Sequence, residues 1–416
     1  SVGTSPIHIV RQHISLVIQD NPLEIKGFTD IEISSSSSIP PDVIFLHSRQ
    51  LNIESVSVNN QPLEYEYFDS SSAFLFKDTF ITRDAAQFSA IAKVVNESPD
   101  LYIKYNGSYP VTIHIEFNVR SDSTAIVQYN GIIFTDNRVD GPSGWFPCLD
   151  SIAQRSFFSL SVTFHQSYVC IGPGEGNLVN VDQQQRTNTM LFKLHFPVTA
   201  KGIGFALGHF VSQTIGNDCF AYFTGVSDEA FMNTLSSVPK ILQTVNEKFG
   251  FEDNYYPTIS FVSIPVLTEI VVLPGVIFVP SNMNIPLGNV NVIQVIIPKL
   301  IEAIIGLYVY YLFPVNNLED SWLPIGLAGF FADIVSSKFF SESFKLNRRW
   351  DDINWLMSED IFPSIVLSAI DPATGEPFRD SFLKTKAKLL VNMFATSMKN
   401  SDVQLILLMR PLFKFC

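Results

Sequence analysis

The hydrophobic pattern of this chain changes its period near residue 212. Before that point, apolar and polar residues alternate over short runs such as Leu51 to Val58 and Val111 to Val119, which is the period of a strand with one buried face. After it, apolar residues recur at helical spacing behind a helix-start sequence, Ser227-Asp228-Glu229. The sequence therefore predicts two domains, a β-domain over residues 1–212 and a mixed helical and β domain over residues 213–416.

Turn and helix-breaking residues divide both domains further. Asn59-Asn60-Gln61-Pro62 and Asn130-Gly131 predict turns between strands, and a short helix is expected over residues 84–95. In the second domain, Pro239 predicts a break between two helices, and a β-segment over residues 258–280 precedes helices from residue 291 onward. Residues 384–416 have the pattern of an amphipathic helical pair without a stop signal, so we expect the full protein to continue beyond them.

The balance of apolar and charged residues is that of a globular protein. Apolar residues make up 46% and charged residues 16%, and the formal net charge is −13. A surface this acidic does not wrap a phosphate backbone by itself, although a local basic patch stays open as an alternative. The four cysteines, Cys148, Cys170, Cys219 and Cys416, form no C-x-x-C pair, which favours a reducing compartment.

The most apolar segment, residues 292–313, has about the 20 residues that a bilayer span requires. It contains Pro298, Lys299 and Glu302, however, and a charge near the centre of a span costs about 2.5–3.5 kcal/mol. We therefore expect a helix that is buried inside a large domain, and no membrane partner.

One motif of the first domain resembles a known signature. Residues 145–151 read Trp-Phe-Pro-Cys-Leu-Asp-Ser, with Trp145, Phe146, Pro147, Cys148 and Asp150 carrying the likeness. They resemble the FPCxDEP signature of the zinc aminopeptidase family. Further segments are similar to that family's motifs in the same order, namely Gly27 to Ile33, Gly204 to Phe210, Phe249-Gly250 and Tyr256-Pro257. The resemblance implies an N-terminal antiparallel, β-sandwich-like domain followed by a thermolysin-like, mixed α+β peptidase-type domain.

Active members of that family carry a GAMEN loop, an HExxH helix and a glutamate on the following helix. Gly306 looks like the glycine that ends the zinc-helix motif, which puts the first histidine at Pro298, the general base at Lys299 and the second histidine at Glu302. The W-L-x-E-G motif is similar to residues 322–326, so that the third zinc ligand falls on Ile325. The GAMEN loop looks like residues 269–273, and its amine-anchoring glutamate falls on Val272.

No histidine occurs after His209, and all seven of the chain lie at or before it. A zinc site of the family's type needs two imidazoles one helical turn apart, so no shift of the alignment restores it. Lys299 lacks the carboxylate that takes a proton from metal-bound water, and Val272 cannot pair with a substrate amine. The expectation is a non-enzyme without catalytic residues, metal or other cofactor.

Within the family, these departures are similar to those of the aminopeptidase-like TBP-associated factor of the transcription factor TFIID. That resemblance implies a non-catalytic scaffold in RNA polymerase II preinitiation complex assembly, located in the nucleus. Its partners would be other TFIID subunits, with promoter DNA as a further contact within the complex. The alternative is an inactive peptide- or protein-binding module outside transcription, which the glycosylation sequons at Asn96 and Asn106 favour.

Three further groups have both a structural and a functional interpretation. We expect Lys299 and Glu302 to form a local salt bridge, because a buried charge needs a partner. Residues 348–350, Arg-Arg-Trp, are expected at a solvated helix start, with nucleic-acid contact as the alternative. His195 and His209 lie on neighbouring predicted strands, where packing or surface roles are favoured over a shared metal.

Overall fold

The computed structural model describes residues 7–35, 37, 41–69, 99–136, 141–151, 153–225, 228–249, 256–286, 290–313, 315, 320–359 and 381–397. Contacts within the chain divide it into two compact units, with the boundary along the sequence between His209 and Phe210. We call them the N-terminal unit and the C-terminal unit. The predicted helix over residues 84–95, the sequon at Asn96 and residues 398–416 lie outside the described residues.

The N-terminal unit consists of β-strands. Their bounds are β1 Ile7–Asp20, β2 Leu23–Ser35, β3 Val43–Leu46, β4 Leu51–Val58, β5 Gln61–Pro62, β6 Tyr65–Tyr67, β7 Leu101–Lys104, β8 Val111–Val119, β9 Ile126–Tyr129, β10 Ile132–Thr135, β11 Phe157–His165, β12 Val169–Ile171, β13 Glu175–Asp182, β14 Thr187–Lys193 and β15 Ala206–Gly208. They form an eight-stranded sheet in the order β13-β14-β11-β1-β2-β8-β4-β5, a four-stranded sheet β12-β15-β10-β9 and a three-stranded sheet β3-β7-β6. The described pairs are antiparallel except β1 with β11, which run parallel.

The core of this unit is formed by strands in which buried residues alternate with more exposed ones. In β8, every second residue from Val111 to Phe117 is buried, because successive side chains of a strand point to opposite faces. Isoleucines from β1, β2 and β8 join those of the three-stranded sheet in one apolar cluster. The predicted turns at Asn59-Asn60 and Asn130-Gly131 are confirmed by their positive φ angles, which Asn and Gly tolerate best.

The C-terminal unit combines one sheet with six described helices. Its strands are β16 Phe210–Gly216, β17 Cys219–Thr224, β18 Ile259–Ile264, β19 Val271–Leu273 and β20 Val276–Pro280. Its helices are α1 Glu229–Leu235, α2 Val238–Phe249, α3 Val290–Leu312, α4 Trp322–Phe339, α5 Glu342–Glu359 and α6 Ser381–Ser397. The sheet order is β16-β17-β18-β20-β19, in which β18 runs parallel to β17 and β20 while β19 is an antiparallel edge strand. The expected mixed α+β architecture is confirmed.

Local signals in the sequence set the helix boundaries here. The side chain of Asp228 accepts a hydrogen bond from the backbone N–H of Phe231 at 2.9 Å and so caps α1. Pro239 lies in the first turn of α2, where its missing N–H costs no helical hydrogen bond. The predicted break between the two helices is therefore confirmed.

Helix α3 is the apolar segment that the sequence identified. By length and composition, residues Val292–Tyr311 could span a bilayer, with a mean hydropathy of 1.9, but 67% of that stretch is buried inside the protein. Burial of this extent is typical of a core helix of a domain. Pro298 lies within the helix and removes one of its i to i−4 hydrogen bonds.

Candidate functional site

The aminopeptidase-like motif at residues 145–151 lies in the core of the N-terminal unit. Trp145, Phe146 and Cys148 have no exposed surface. The backbones of Cys148 and His47 exchange two hydrogen bonds of 2.8 and 3.0 Å, and the buried Gln12 side chain donates to the carbonyl of Pro147 at 2.7 Å. Burial raises the pKa of the Cys148 thiol well above its ordinary value, so a reactive thiolate is disfavoured. The motif joins distant segments of the N-terminal unit.

Asp150 fixes the turn that leads into this motif. Its backbone N–H donates to His47 Nδ1 at 3.1 Å, and the Ser143 hydroxyl donates to its carboxylate at 3.3 Å. Gly141 has a φ of +69°, and a Cβ there would lie 2.6 Å from the Asp150 carboxylate. The presence of Asp150 in the motif is therefore explained by its contacts with His47, Ser143 and the backbone at Gly141.

The positions that the sequence resemblance assigns to the zinc ligands lie on α3 and α4, which pack against each other. Pro298 is buried, Lys299 is exposed and Glu302 is partly accessible on α3, and Ile325 is partly accessible in the first turn of α4. Among the residues that the structure describes, no group of three or more His, Cys, Asp and Glu side chains is arranged to hold a metal ion. Neither Pro298 nor Ile325 has a donor atom for zinc in its side chain.

The position that the resemblance assigns to the amine anchor lies on the edge strand of the sheet. Val272 belongs to β19 and pairs with Ile277 of β20, and β19 also packs against α3. The Val272 carbonyl accepts a hydrogen bond of 2.6 Å from the Tyr311 hydroxyl of α3. This position therefore fastens a strand to a helix, and its side chain offers no charge to an amine.

A group of buried and partly buried charges lies beside these positions. Asp333 of α4 is 6% exposed; its carboxylate oxygens lie 3.2 Å from Arg348 Nη1 of α5 and 3.5 Å from Lys388 Nζ of α6. Lys388 also contacts the carboxylate of Asp352 on α5. We call Asp333, Arg348, Asp352 and Lys388 the ion-pair cluster. It connects three helices, and opposite charges satisfy charges that burial would otherwise penalise.

Glu302 is adjacent to this cluster. Burial is the largest influence on the pKa of its carboxyl and raises it, while Lys384, Lys388 and Arg348 act in the opposite direction and Asp333 reinforces the rise. Lys299 is exposed, and among the described ion pairs none joins it to Glu302. The expected local salt bridge between Lys299 and Glu302 is therefore wrong, because the cations near Glu302 come from α5 and α6.

The residues that the sequence analysis considered for nucleic-acid or metal contact have identified neighbours in the structure. Arg348 lies in the middle of α5, which begins at Glu342, so the expectation of a solvated helix start is wrong for it. His195 pairs with Glu175 at 3.2 Å, whereas His209 stacks on Tyr168 with ring centroids 4.4 Å apart. The two histidines thus have different partners.

Sequence reasoning missed the ion-pair cluster, although one signal for it was present. Asp333 interrupts an otherwise apolar run, Leu327 to Val335, and a carboxylate in such a run predicts a buried charge that needs a cation. The identity of that cation was not readable, because Lys388 lies on another helix far along the chain.

Comparisons with known proteins support the same fold. No protein-family model and no curated protein sequence matches the chain. Among solved structures, native LTA4 hydrolase from yeast superposes with a TM-score of 0.78 at 14% identity and covers 98% of this chain. An M1 zinc metallopeptidase from Deinococcus radiodurans superposes with a TM-score of 0.71 at 12% identity over 99% of this chain and 88% of its own. The chain spans 62% of the length of the yeast enzyme, and it has the fold of the M1 zinc metallopeptidases.

Proposed function

We propose that this chain is a non-catalytic scaffold with an aminopeptidase-like fold. The observation that carries the proposal is the set of residues at the former catalytic positions, Pro298, Lys299, Glu302 and Ile325, in a chain without a histidine after His209. Catalysis by the family's route needs a metal that polarises water and a carboxylate base. A single partly accessible carboxylate among cations supplies neither function.

We further propose that the scaffold is a subunit of TFIID and acts in preinitiation complex assembly in the nucleus. What supports this is the sequence resemblance, in which Trp145 to Ser151 is retained while the zinc helix is lost. In this proposal the surfaces of both units bind other TFIID subunits, and promoter DNA is contacted within the complex. The net charge of −13 means that such a contact depends on local basic residues.

Affinity purification of the tagged chain from nuclear extract tests the TFIID proposal. We expect TBP-associated factors to co-purify at levels close to those recovered with a known TFIID subunit as bait. A variant that leaves both cores intact, Glu24→Ala on the surface, serves as the matched control and should recover the same partners. Recovery of no TFIID subunit under conditions that retain the complex would refute the assignment.

A peptide- or protein-binding role outside transcription is the second candidate. Asn106 is exposed and begins a glycosylation sequon, which favours a secretory location. Digestion of the protein from its native source with an endoglycosidase distinguishes the two candidates. A mobility shift that Asn106→Gln abolishes would support the secretory alternative, and an exclusively nuclear location would exclude it.

The loss of catalysis gives a direct prediction. Purified protein should hydrolyse no aminoacyl amide with or without added Zn²⁺, and a chelator should leave its melting temperature unchanged, because no histidine pair holds a metal in the C-terminal unit. An active zinc aminopeptidase serves as the assay control. Chelator-sensitive turnover that Glu302→Ala abolishes would contradict the proposal, whereas turnover unaffected by that substitution indicates a contaminating enzyme.

A further inference from the structure

Strand β13 forms one edge of the eight-stranded sheet of the N-terminal unit. Among the described residues, it pairs with β14 on one side and with no strand on the other. Seven of its eight residues, Glu175 to Val181, are exposed. An edge strand of this kind presents backbone N–H and C=O groups that can pair with another strand.

The apolar face of the sheet continues onto this edge. One cross-strand row consists of Leu16, Val162, Met190 and Leu178 on β1, β11, β14 and β13. Leu16 and Val162 are fully buried and Met190 is partly buried, whereas Leu178 is 54% exposed. The face of the sheet that is buried at Leu16 and Val162 therefore becomes exposed at Leu178. A strand added next to β13 could bury apolar side chains of its own beside Leu178.

Natural edge strands are usually protected against pairing by lysine, proline or a β-bulge. Between Glu175 and Asp182, the sequence has no lysine and no proline. The pairing with β14 shifts between Leu178 and Asn180, so that Val179, 53% exposed, is the extra residue of a bulge. Only one of the three protective features is present, and the segments on either side of it keep regular pairing.

The charges of β13 argue against a second copy of the chain as its partner. Glu175 and Asp182 occupy the two ends of the strand. Glu175 pairs with His195 at 3.2 Å, and the Asp182 carboxylate accepts hydrogen bonds from the backbone N–H groups of Gln184 and Gln185, but neither has a Lys or Arg partner among the described ion pairs. Antiparallel pairing of two whole copies places Glu175 opposite Asp182, and parallel pairing in register places each carboxylate opposite itself. Like charges directly opposite each other destabilise a strand pair, and two chains of net charge −13 repel. A partner strand with cationic ends avoids both costs.

We propose that β13 is a docking site for an extended segment of a partner protein, in which aliphatic residues alternate with polar ones and Lys or Arg lies at each end. The segment adds to the sheet next to β13, with its backbone hydrogen-bonded to the edge and its aliphatic side chains beside Leu178 and Val181. This inference concerns the N-terminal unit only. It is independent of the lost catalytic site and of membership in TFIID.

The test uses the whole chain and two labelled peptides. The first reads Lys-Val-Thr-Val-Thr-Val-Lys, and the second has glutamate at both ends in place of lysine. We expect saturable binding of the lysine peptide, measured by fluorescence anisotropy, with an affinity at least about tenfold higher than that of the glutamate peptide. Hydrogen exchange of the amides of residues 175–182 should slow when the lysine peptide is bound.

Matched variants locate the binding site. Leu178→Lys combined with Val181→Lys should weaken binding about tenfold or more, and Glu175→Gln should weaken it less and reduce its dependence on salt. Val17→Lys is the control, since Val17 is 45% exposed, close to the 44% of Val181, but lies on the central strand β1. Its affinity should equal that of the wild type, and an unchanged melting temperature shows that each variant folds.

Four outcomes would overturn the proposal. These are no saturable binding, equal binding of the two peptides, unchanged affinity in the Leu178 and Val181 double variant, and protection from exchange outside residues 175–182. Concentration-dependent dimers that the double variant abolishes would instead assign the edge to a second copy of the chain and overturn the choice of partner. None of these results bears on the TFIID assignment, which the affinity purification tests separately.

Discussion

At the scale of single residues, the region of the C-terminal unit to which the resemblance assigns the zinc-ligand positions contains side-chain charges of both signs. Glu302 lies at a position that the resemblance assigns to a zinc ligand, and Lys384, Lys388 and Arg348 all lower the pKa of its carboxyl. The rise caused by burial is larger, so desolvation dominates over attraction at this carboxyl. Asp333, by contrast, has two cations within 3.5 Å and serves as the centre of the ion-pair cluster.

Asp333→Asn should therefore destabilise the C-terminal unit. Arg348 and Lys388 would lose a shared carboxylate, and removing one partner of a buried ion pair costs about 3 kcal/mol or more in the free energy of unfolding. Urea unfolding followed by circular dichroism measures the change. Glu24→Ala is the control, since the Glu24–Lys26 pair is exposed and should contribute less than about 1 kcal/mol. Equal effects of the two substitutions would show that the cluster does not stabilise the fold.

Glu302→Gln should change how stability depends on pH. Because the folded state raises the pKa of Glu302, protons bind the folded state more readily, and stability declines as pH rises through that raised value. The variant should match the wild type near pH 4 and exceed it in free energy of unfolding near neutral pH, at roughly pH 7. Glu269→Gln, at an exposed carboxylate paired with Lys384, is the control. A variant that is less stable at neutral pH would mean that attraction to Lys384, Lys388 and Arg348 outweighs burial.

At the scale of elements, α4 is buried over nearly its whole circumference. Twelve residues between Pro324 and Ser336 are buried, which is typical of a helix in the middle of a domain. A Cβ added at Gly326 would lie 2.8 Å from the Ala387 carbonyl of α6 and 3.0 Å from a Val391 methyl group. The glycine that is similar to the end of the W-L-x-E-G motif therefore has a packing role in this fold.

Two glycine substitutions on α4 test that role. Gly326→Ala should lower the free energy of unfolding by about 1–3 kcal/mol, because the Ala387 backbone cannot move aside without displacing α6. At Gly329 the three atoms nearest to the new Cβ are side-chain carbons of Lys388, at 3.1 to 3.4 Å, and the ion pairs of Lys388 limit how far they can move. A gain of about 1 kcal/mol in helix propensity offsets this crowding, so Gly329→Ala should be less destabilising than Gly326→Ala. Chemical denaturation of both variants provides the measurement, and a reversed order of stability would show that the two helices are not in such close contact.

At the scale of the whole molecule, the chain has two compact units, each with its own buried aromatic residues. Phe146 lies beside Trp145 in the N-terminal unit, and Phe331 lies beside Phe249 in the C-terminal unit. Both Phe146 and Phe331 have no exposed surface. Each unit therefore has enough core to unfold as a cooperative body of its own.

Differential scanning calorimetry should resolve two transitions. Phe146→Ala and Phe331→Ala are a matched pair, and each should cost about 3–5 kcal/mol in its own unit. We expect each substitution to lower the midpoint of one transition and to leave the other within error. A single transition that both substitutions lower equally would show that the two units unfold as one.

The local features of this fold were readable from the sequence. Alternation over β8, the cap at Asp228 and the break at Pro239 depend on residues within a few positions of one another, so period and turn chemistry are sufficient to predict them. The absence of an imidazole after His209 was also readable from the sequence, because no arrangement of helices can supply a side chain that these residues do not contain. The fold class followed from motif order and agrees with the superposition on M1 metallopeptidases.

Which side chains from distant parts of the chain contact each other was decided by the tertiary structure alone. Gln12 donates a hydrogen bond to the carbonyl of Pro147, 135 residues away. Asp333 of α4 forms an ion pair with Lys388 of α6. The exposed edge at β13 likewise follows from strand order, which alternation does not encode. Local periods fix which face of an element is apolar, but the register and packing of distant segments determine which charge neutralises which and which strand is left at the edge of a sheet.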